Sequence, residues 1–445
     1  MTLLLRAWEA TLRADPAAPA LVDAAAGRVW SRRELDELAM AWAGRHGPAA
    51  AGKAVLFAEP NRPGWLGVFL GLLRAGAAAV PVEPAEPPAA RRALAQAAGA
   101  AAIWVDGALR PVDFGRRAPR AIQLFKLTSG SSGKPRALGF TGAQLLADGR
   151  RICAAMGIRG RDLNLALIPF GHSYGLGNLV VPLLERGTAV LCGVDPLPEA
   201  IAAAAERWRP TVFPGVPALL RALAASGVAP GRLASLRTVI SAGAPLAPEV
   251  AGEFRARFGR KIHNFYGSSE TGGIAYDRGG EATLSGRAVG RPLSGIRLAF
   301  GRGHRFWVES TAVFTHGNRR RRRGRGAHRP ADRGEKNSRG ELVLLGRSGR
   351  MLKLAGRRLD PAEVERALRA LPGVREAYVC ADPARAESLA AAAASDRPVP
   401  EILAALEGRL AVWKRPRRLI ALAEFPLSAR GKPDYRRLRE LLARR

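Results

Sequence analysis

Hydrophobic positions along this chain follow two rhythms. Short runs in which nearly every residue is apolar (AVLFAEP, AAIWVDG, AIQLFKL, LNLALIPF, TAVLCGV, TVFPGV, LRTVISAG and KIHNFYG) read as strands buried on both faces. Between them, apolar residues three and four apart at 33–45, 142–155 and 248–258 read as helices. Strands alternating with helices predict an α/β fold of layered, largely parallel sheets covered by helices. After GELVLLGR the rhythm changes, with LDPAEVERALRAL reading as a helix, VREAYVC as a strand, and a basic tail following. We therefore expect a large N-terminal domain, residues 1–346, and a small α+β C-terminal domain, residues 347–445. Within the latter, CADPARAESLAAAAASDRPVPEI reads as a compressed strand and loop.

The 445 residues suffice for a sizeable core, and 47% hydrophobic against 24% charged residues excludes a disordered chain. Cys153, Cys192 and Cys380 are widely separated, which disfavours a disulfide framework or zinc site and points to the reducing cytoplasm. MTLLLRAWEA has too short an apolar run for a signal peptide, and WLGVFLGLLRAGAAAVPV is interrupted by Arg74, so no transmembrane segment is expected. The 70 Lys and Arg against 38 Asp and Glu, a net charge of +32, raise the possibility of a nucleic-acid partner. The arginines are instead spread over amphipathic helices with little aromatic interleaving, so nucleic acid is not the expected partner. One cluster departs from that spread: HGNRRRRRGRGAHRPADRG, residues 316–334, holds five consecutive arginines.

Among candidate sites, LTSGSSGKPR follows a strand and combines hydroxyls, glycines and cations, as a loop surrounding a polyphosphate would. It is not a P-loop: Thr128 stands where the first glycine should be, and Pro135 follows Lys134. Three further segments, NFYGSSETGG, GRSGRMLKLAGRRLDPAEVE and LSARGKPDYRRL, follow it in order. The ordered set resembles the AMP-forming adenylating enzymes: acyl-CoA synthetases, peptide-synthetase adenylation domains and luciferases. The likeness runs from AWEATLRADPAAPALVD to the terminal lysine motif.

That resemblance implies ATP-dependent activation of a carboxylic acid to an acyl adenylate with release of pyrophosphate, then thioester formation with CoA. The chemistry brings two anions together, so charge neutralisation and in-line positioning are required. By resemblance Thr128, Ser129, Gly130, Ser131, Ser132, Gly133 and Lys134 surround the β- and γ-phosphates, with Thr128 in a catalytic role. Glu270 corresponds to the family's Mg²⁺ ligand, Tyr266 to an adenine wall flanked by Gly267 and Ser269, and Asn264 to a partner of the exocyclic amine. Gly243, Ala244 and Pro245 of SAGAP form the opposite face. Asp332 and Arg347 correspond to ribose ligands, although the family's Thr-Gly before the aspartate is here Pro330-Ala331. Lys432 matches the catalytic lysine bridging carboxylate and α-phosphate, and Gly349 occupies the hinge position where relatives carry Asp or Lys.

In IPFGHSYGLGN, Gly171 and His172 stand where amino-acid-activating relatives carry an aspartate, so a fatty or aromatic acid is expected. His172, Ser173, Phe213, Gly215 and Val216 are the candidate acyl-pocket residues, each equally compatible with core packing. The acceptor stays open between CoA and a separate phosphopantetheine carrier protein. So do a non-catalytic, degenerate adenylating fold and three readings of residues 318–329: a frame disturbance, a solvated insertion, or an anion-binding arm.

Overall fold

The computed structural model describes residues 2–129, 135–315, 321–322, 325–347, 352–354, 357–359, 361–385, 388–407, 409–427 and 433–444. Gly130, Ser131, Ser132, Gly133, Lys134, Gly349 and Lys432 lie outside them. The chain forms two compact units, one of Met1–Ala299, Trp307–His328 and Asn337–Leu342, the other of Phe300–Phe306, Arg329–Lys336 and Val343–Arg445. Two segments upstream of residue 346, Phe300–Phe306 and Arg329–Lys336, group with the C-terminal chain. No described helix is long and apolar enough to cross a membrane.

The first unit holds two large sheets. In the nine-stranded sheet the order is Arg291–Pro292, Gly272–Tyr276, Ile262–Ser268, Thr238–Ser241, Val212–Gly215, Leu163–Leu165, Ala189–Cys192, Pro19–Asp23, Arg28–Ser31. From Ile262–Ser268 to Pro19–Asp23 every pair is parallel, and antiparallel strands close both edges. The six-stranded sheet runs Ala108–Pro111, Ala102–Val105, Ala54–Ala58, Ala78–Val82, Leu124–Ser129, Pro135–Phe140, parallel except at its edges. The central strand Ala54–Ala58 is buried at every position because helices cover both faces, which is why its sequence is apolar without alternation.

Helix starts follow local chemistry. Ser31 and Thr141 each accept from the backbone N–H three residues on, while Glu34 and Gln144 reach back to the cap amide, fixing Arg32–Ala50 and Gly142–Met156. The helix Pro63–Arg74 is buried almost all round, and its glycines let it press against Arg32–Ala50. A Cβ on Gly71 would stand 2.7 Å from the Trp42 ring and 3.1 Å from the Ala39 carbonyl oxygen.

The second unit carries a three-stranded sheet in which Leu389–Ser395 pairs antiparallel with Val374–Ala381 and parallel with Arg418–Leu422. The LAAAAAS run is thus a full central strand, buried at all seven positions. Its alanines face two cores. Ala391 and Ala393 pack with Val364 and Leu368 of the helix Pro361–Arg369, and Ala390, Ala392 and Ala394 with Leu438 and Leu442 of Tyr435–Ala443. Small side chains on both faces allow the close approach of both helices.

The Gly71 contact yields a test. Gly71→Ala should lower stability by about 1–3 kcal/mol through overpacking. Gly44→Ala, in the facing helix with nothing within 4 Å of the added carbon, should raise it by about 0.5–1 kcal/mol. Denaturant unfolding of the two variants checks the opposite signs.

Candidate active site

Strand order reverses once along the parallel part of the nine-stranded sheet. The chain lays down Leu163–Leu165 and then Ala189–Cys192 beyond it, returns to place Val212–Gly215 on the other side of Leu163–Leu165, and continues outward. Connections leaving neighbouring strands in opposite directions open a crevice at their carboxyl ends. Two expected segments leave from there: the IPFGHS stretch bearing His172 and Ser173 after the first strand, and Gly215-Val216 at the end of the second.

Parallel register extends the row. Gly215 is level with Ser241 and Ser241 with Asn264, so the ends of three strands carry the SAGAP turn and the NFYG segment side by side. Gly243 takes φ 91°, a backbone state that disfavours any side chain there. Gly243 and Pro245 are exposed and Ala244 is half-buried. The Gly215 carbonyl accepts from the Ala242 amide and the Tyr174 hydroxyl, both at 3.3 Å. Burial, with Tyr276 nearby, raises the Tyr174 phenol well above its usual range, so it remains a hydrogen-bond donor. Phe213 takes the core-packing alternative. Its ring is wholly buried among Leu165, Leu191, Leu220 and Val239, and packs against the Gly215 position from the core side.

The strand Ile262–Ser268 turns back into Gly272–Tyr276, with Ser269 and Glu270 at the turn. Tyr266, Ser269 and Glu270 are half-buried, and the Phe314 amide donates to the Glu270 carbonyl at 3.0 Å. At Gly267 a Cβ would stand 2.6 Å from the Gly272 carbonyl oxygen, so only glycine fits this hairpin. Thr128 and Ser129 extend a strand rather than opening a loop. They pair with Arg136 and Pro135 across an antiparallel hairpin.

Two observations test whether a nucleotide and its metal fit. The Ser241 hydroxyl is buried and has no hydrogen-bond partner among the described residues, although it stands at the strand ends beside the exposed SAGAP turn. A buried hydroxyl left unpaired costs roughly 1–3 kcal/mol, which a polar ligand group would relieve. No described group of three His, Cys, Asp or Glu residues forms a metal cage. Glu270 as a lone carboxylate suits magnesium that arrives with phosphate oxygens and water.

Sequence reasoning missed the polar groups beneath this row. Lys126 is 4% exposed, donates to the Ser173 hydroxyl oxygen at 2.9 Å, and lies 4.3 Å from the Phe140 ring centroid. Burial lowers its pKa, while the charges of Asp148 and Glu270 oppose the shift. Asp148, 5% exposed, accepts from the Gly273 amide at 2.8 Å, and burial raises its pKa against the pull of Lys126. A single lysine in the apolar run AIQLFKL was the available signal, because a charge in a strand buried on both faces needs a reason. Asn164 and Asn178, both fully buried, pin a wide π-helical turn at Leu176–Val180, a kind of irregularity common at functional sites.

Asp332 opens the strand Asp332–Lys336 and Arg347 closes Leu342–Arg347, and both belong to the second unit. Of the arginine-rich stretch, Arg325–His328 is a ladder strand, with Gly326, Ala327 and His328 opposite Ser310, Glu309 and Val308. A Cβ on Gly326 would stand 2.7 Å from that of Val313.

A family model described as "AMP-binding enzyme" matches residues 8–124 and 111–300. The chain belongs to this family. Benzoate–CoA ligase of Thauera aromatica is 31% identical over 283 residues, covering 57% of this chain and 51% of that protein. 4-Coumarate–CoA ligase-like 3 of Oryza sativa subsp. japonica is 30% identical over 322 residues, covering 58% and 54%. The chain thus spans about half the length of these curated relatives. Among solved structures, ATP-bound MatB from Rhodopseudomonas palustris superposes with a TM-score of 0.83 at 20% identity over 99% of both chains, a likeness of fold.

In this AMP-binding enzyme the buried carboxylate beside the Gly272-Gly273 backbone is open to test. Asp148→Ala, which strands the Gly273 amide and removes a counter-charge of Lys126, should cost about 1–3 kcal/mol of stability. Asp148→Asn, able to keep the hydrogen bond, should cost less. Thermal unfolding of both variants distinguishes them.

Proposed function

We propose that the protein activates an aromatic carboxylic acid with ATP and transfers it to a thiol. The observation carrying this reading is the row of strand ends in the first unit. There Ser173, Gly215, the unpaired Ser241 hydroxyl, the SAGAP turn and Asn264 stand at one sheet edge around the order reversal. In the first step a carboxylate oxygen of the acid attacks the α-phosphorus of ATP, the bond to the bridging oxygen breaks, and pyrophosphate leaves. In the second step a thiolate attacks the acyl carbon and AMP leaves.

Roles follow from residue chemistry. Asn264, the SAGAP backbone and Tyr266 hold the base, and the hydroxyls of Thr128 and Ser129 donate to the leaving phosphates without a fixed charge that would retain them. Glu270 would hold Mg²⁺, which neutralises phosphate charge when bound. Lys432, outside the described residues, supplies a compact ammonium on a flexible stem to bridge acid and α-phosphate. Asp332 and Arg347 are assigned to the ribose and Gly349 to the hinge. His172 and Ser173 border the acid, and the absence of a carboxylate at 171–172 argues against an ammonium-bearing substrate. The aromatic preference draws on the two ligase relatives and on the Tyr174–Phe265 ring pair near the crevice, centroids 5.9 Å apart. CoA is the proposed acceptor, and three free, buried cysteines agree with a reducing compartment such as the cytoplasm.

The test is carboxylate-dependent pyrophosphate release from MgATP over aryl, fatty and amino acids, with CoA or a phosphopantetheine carrier. Release with aryl acids, conversion to AMP and thioester by CoA, and a loss of about a hundredfold or more in Lys432→Ala are expected, since that lysine meets charge developing at phosphorus. Folded protein that releases none with any acid would refute the reading.

A further inference from the structure

Lys126 has no role in the steps above, yet its charge is held out of water close to the crevice. An ammonium carries three N–H donors and no acceptor. Among the described residues one of these donors reaches an oxygen, Ser173 Oγ at 2.9 Å, and Nζ also lies 4.3 Å from the centroid of the Phe140 ring. The carboxylates Asp148 and Glu270 act on it through charge alone and not by hydrogen bonds. A buried cation compensated in this partial way is costly, and it is retained where its field serves a neighbour.

That neighbour is Ser173. In its ammonium form Nζ can only donate, so the Ser173 oxygen accepts from it and the hydroxyl proton is turned away from Lys126. Ser173 is half-buried, directly follows His172, and begins the helical segment that leaves the strand-order reversal. The hydroxyl therefore presents a donor, strengthened by a cation behind it, beside the strand-order reversal where the crevice is expected.

We propose that Lys126, through Ser173, is a specificity-determining positioning residue that selects aryl acids bearing an acceptor oxygen on the ring, as a hydroxyl or second carboxylate, over the unsubstituted acid. This rests on reading the crevice as the acid's site. An acceptor oxygen would meet the oriented Ser173 proton and the positive field together, whereas an unsubstituted ring would leave that donor unpaired and dehydrated.

The experiment measures equilibrium binding by calorimetry, independent of turnover, for benzoate, the three hydroxybenzoates and the benzene dicarboxylates. The proteins are the wild type, Lys126→Met and Ser173→Ala, the last a mild change that guards against misfolding of the first. Wild type should prefer at least one oxygen-substituted acid by roughly tenfold or more, and that preference should fall to within about threefold in both variants. A merely structural role would weaken all acids alike and leave the ratio standing, which overturns the proposal. Equal binding of substituted and plain acids by wild type overturns it too, as does failure to bind any of them. Pyrophosphate release run in parallel separates the two claims. Selective binding without release would refute activation while supporting the selectivity assigned to Lys126.

Discussion

Parallel pairing is the constraint from which the site follows. In a parallel ladder all carboxyl ends lie on one edge, so loops far apart in sequence emerge together. The single reversal of order beside Leu163–Leu165 then decides where on that edge the backbone leaves room. Had the chain continued past Ala189–Cys192 without returning, IPFGHS and Gly215 would leave from strands that are not neighbours. The register Gly215, Ser241, Asn264 extends the same edge to the SAGAP turn and to Asn264, the residues proposed to hold the base. One topological choice thus collects segments that lie far apart in sequence, from Ile168 to Asn264.

The polar layer under that edge is the second organising feature. Lys126 and Asp148 pull each other toward the charged forms while burial pulls both the other way. Such groups contribute little net stability, and removing one weakens the charge compensation of the other, leaving Lys126 with Glu270 or Asp148 with Arg151. Their value lies in geometry. Asp148 fastens Gly273 behind the hairpin that carries Glu270, and Lys126 fastens the orientation of Ser173. Glycines complete the fit where a side chain would strike backbone, as at Gly267 against Gly272.

The arginine excess, prominent in the composition, has little part in the fold's logic. Many of the arginines described are tied to carbonyls or carboxylates at helix ends and turns, as Arg237 is to Asp162 and Arg257 is to the Val228 and Ala224 carbonyls. Within the cluster near residue 320, Arg325–His328 takes a regular place in a sheet.

Hydrophobic rhythm alone determined the α/β class, because a strand buried on both faces must be continuously apolar and an amphipathic helix must repeat near every fourth residue. The ordered motifs similarly pointed to the family to which the chain belongs. Tertiary structure alone decided the order of strands, and with it which loops share an edge, since pairing partners distant in sequence leave no local trace. It also decided the surroundings of single residues. Phe213 and Gly215 stand two apart on one strand, yet the ring is sealed in the core while the glycine carbonyl receives Tyr174. Lys126 reads in sequence as one cation among many. Only the fold, by closing Phe140, Ser173 and Asp148 around it, turns that cation into a constraint on what the crevice can hold.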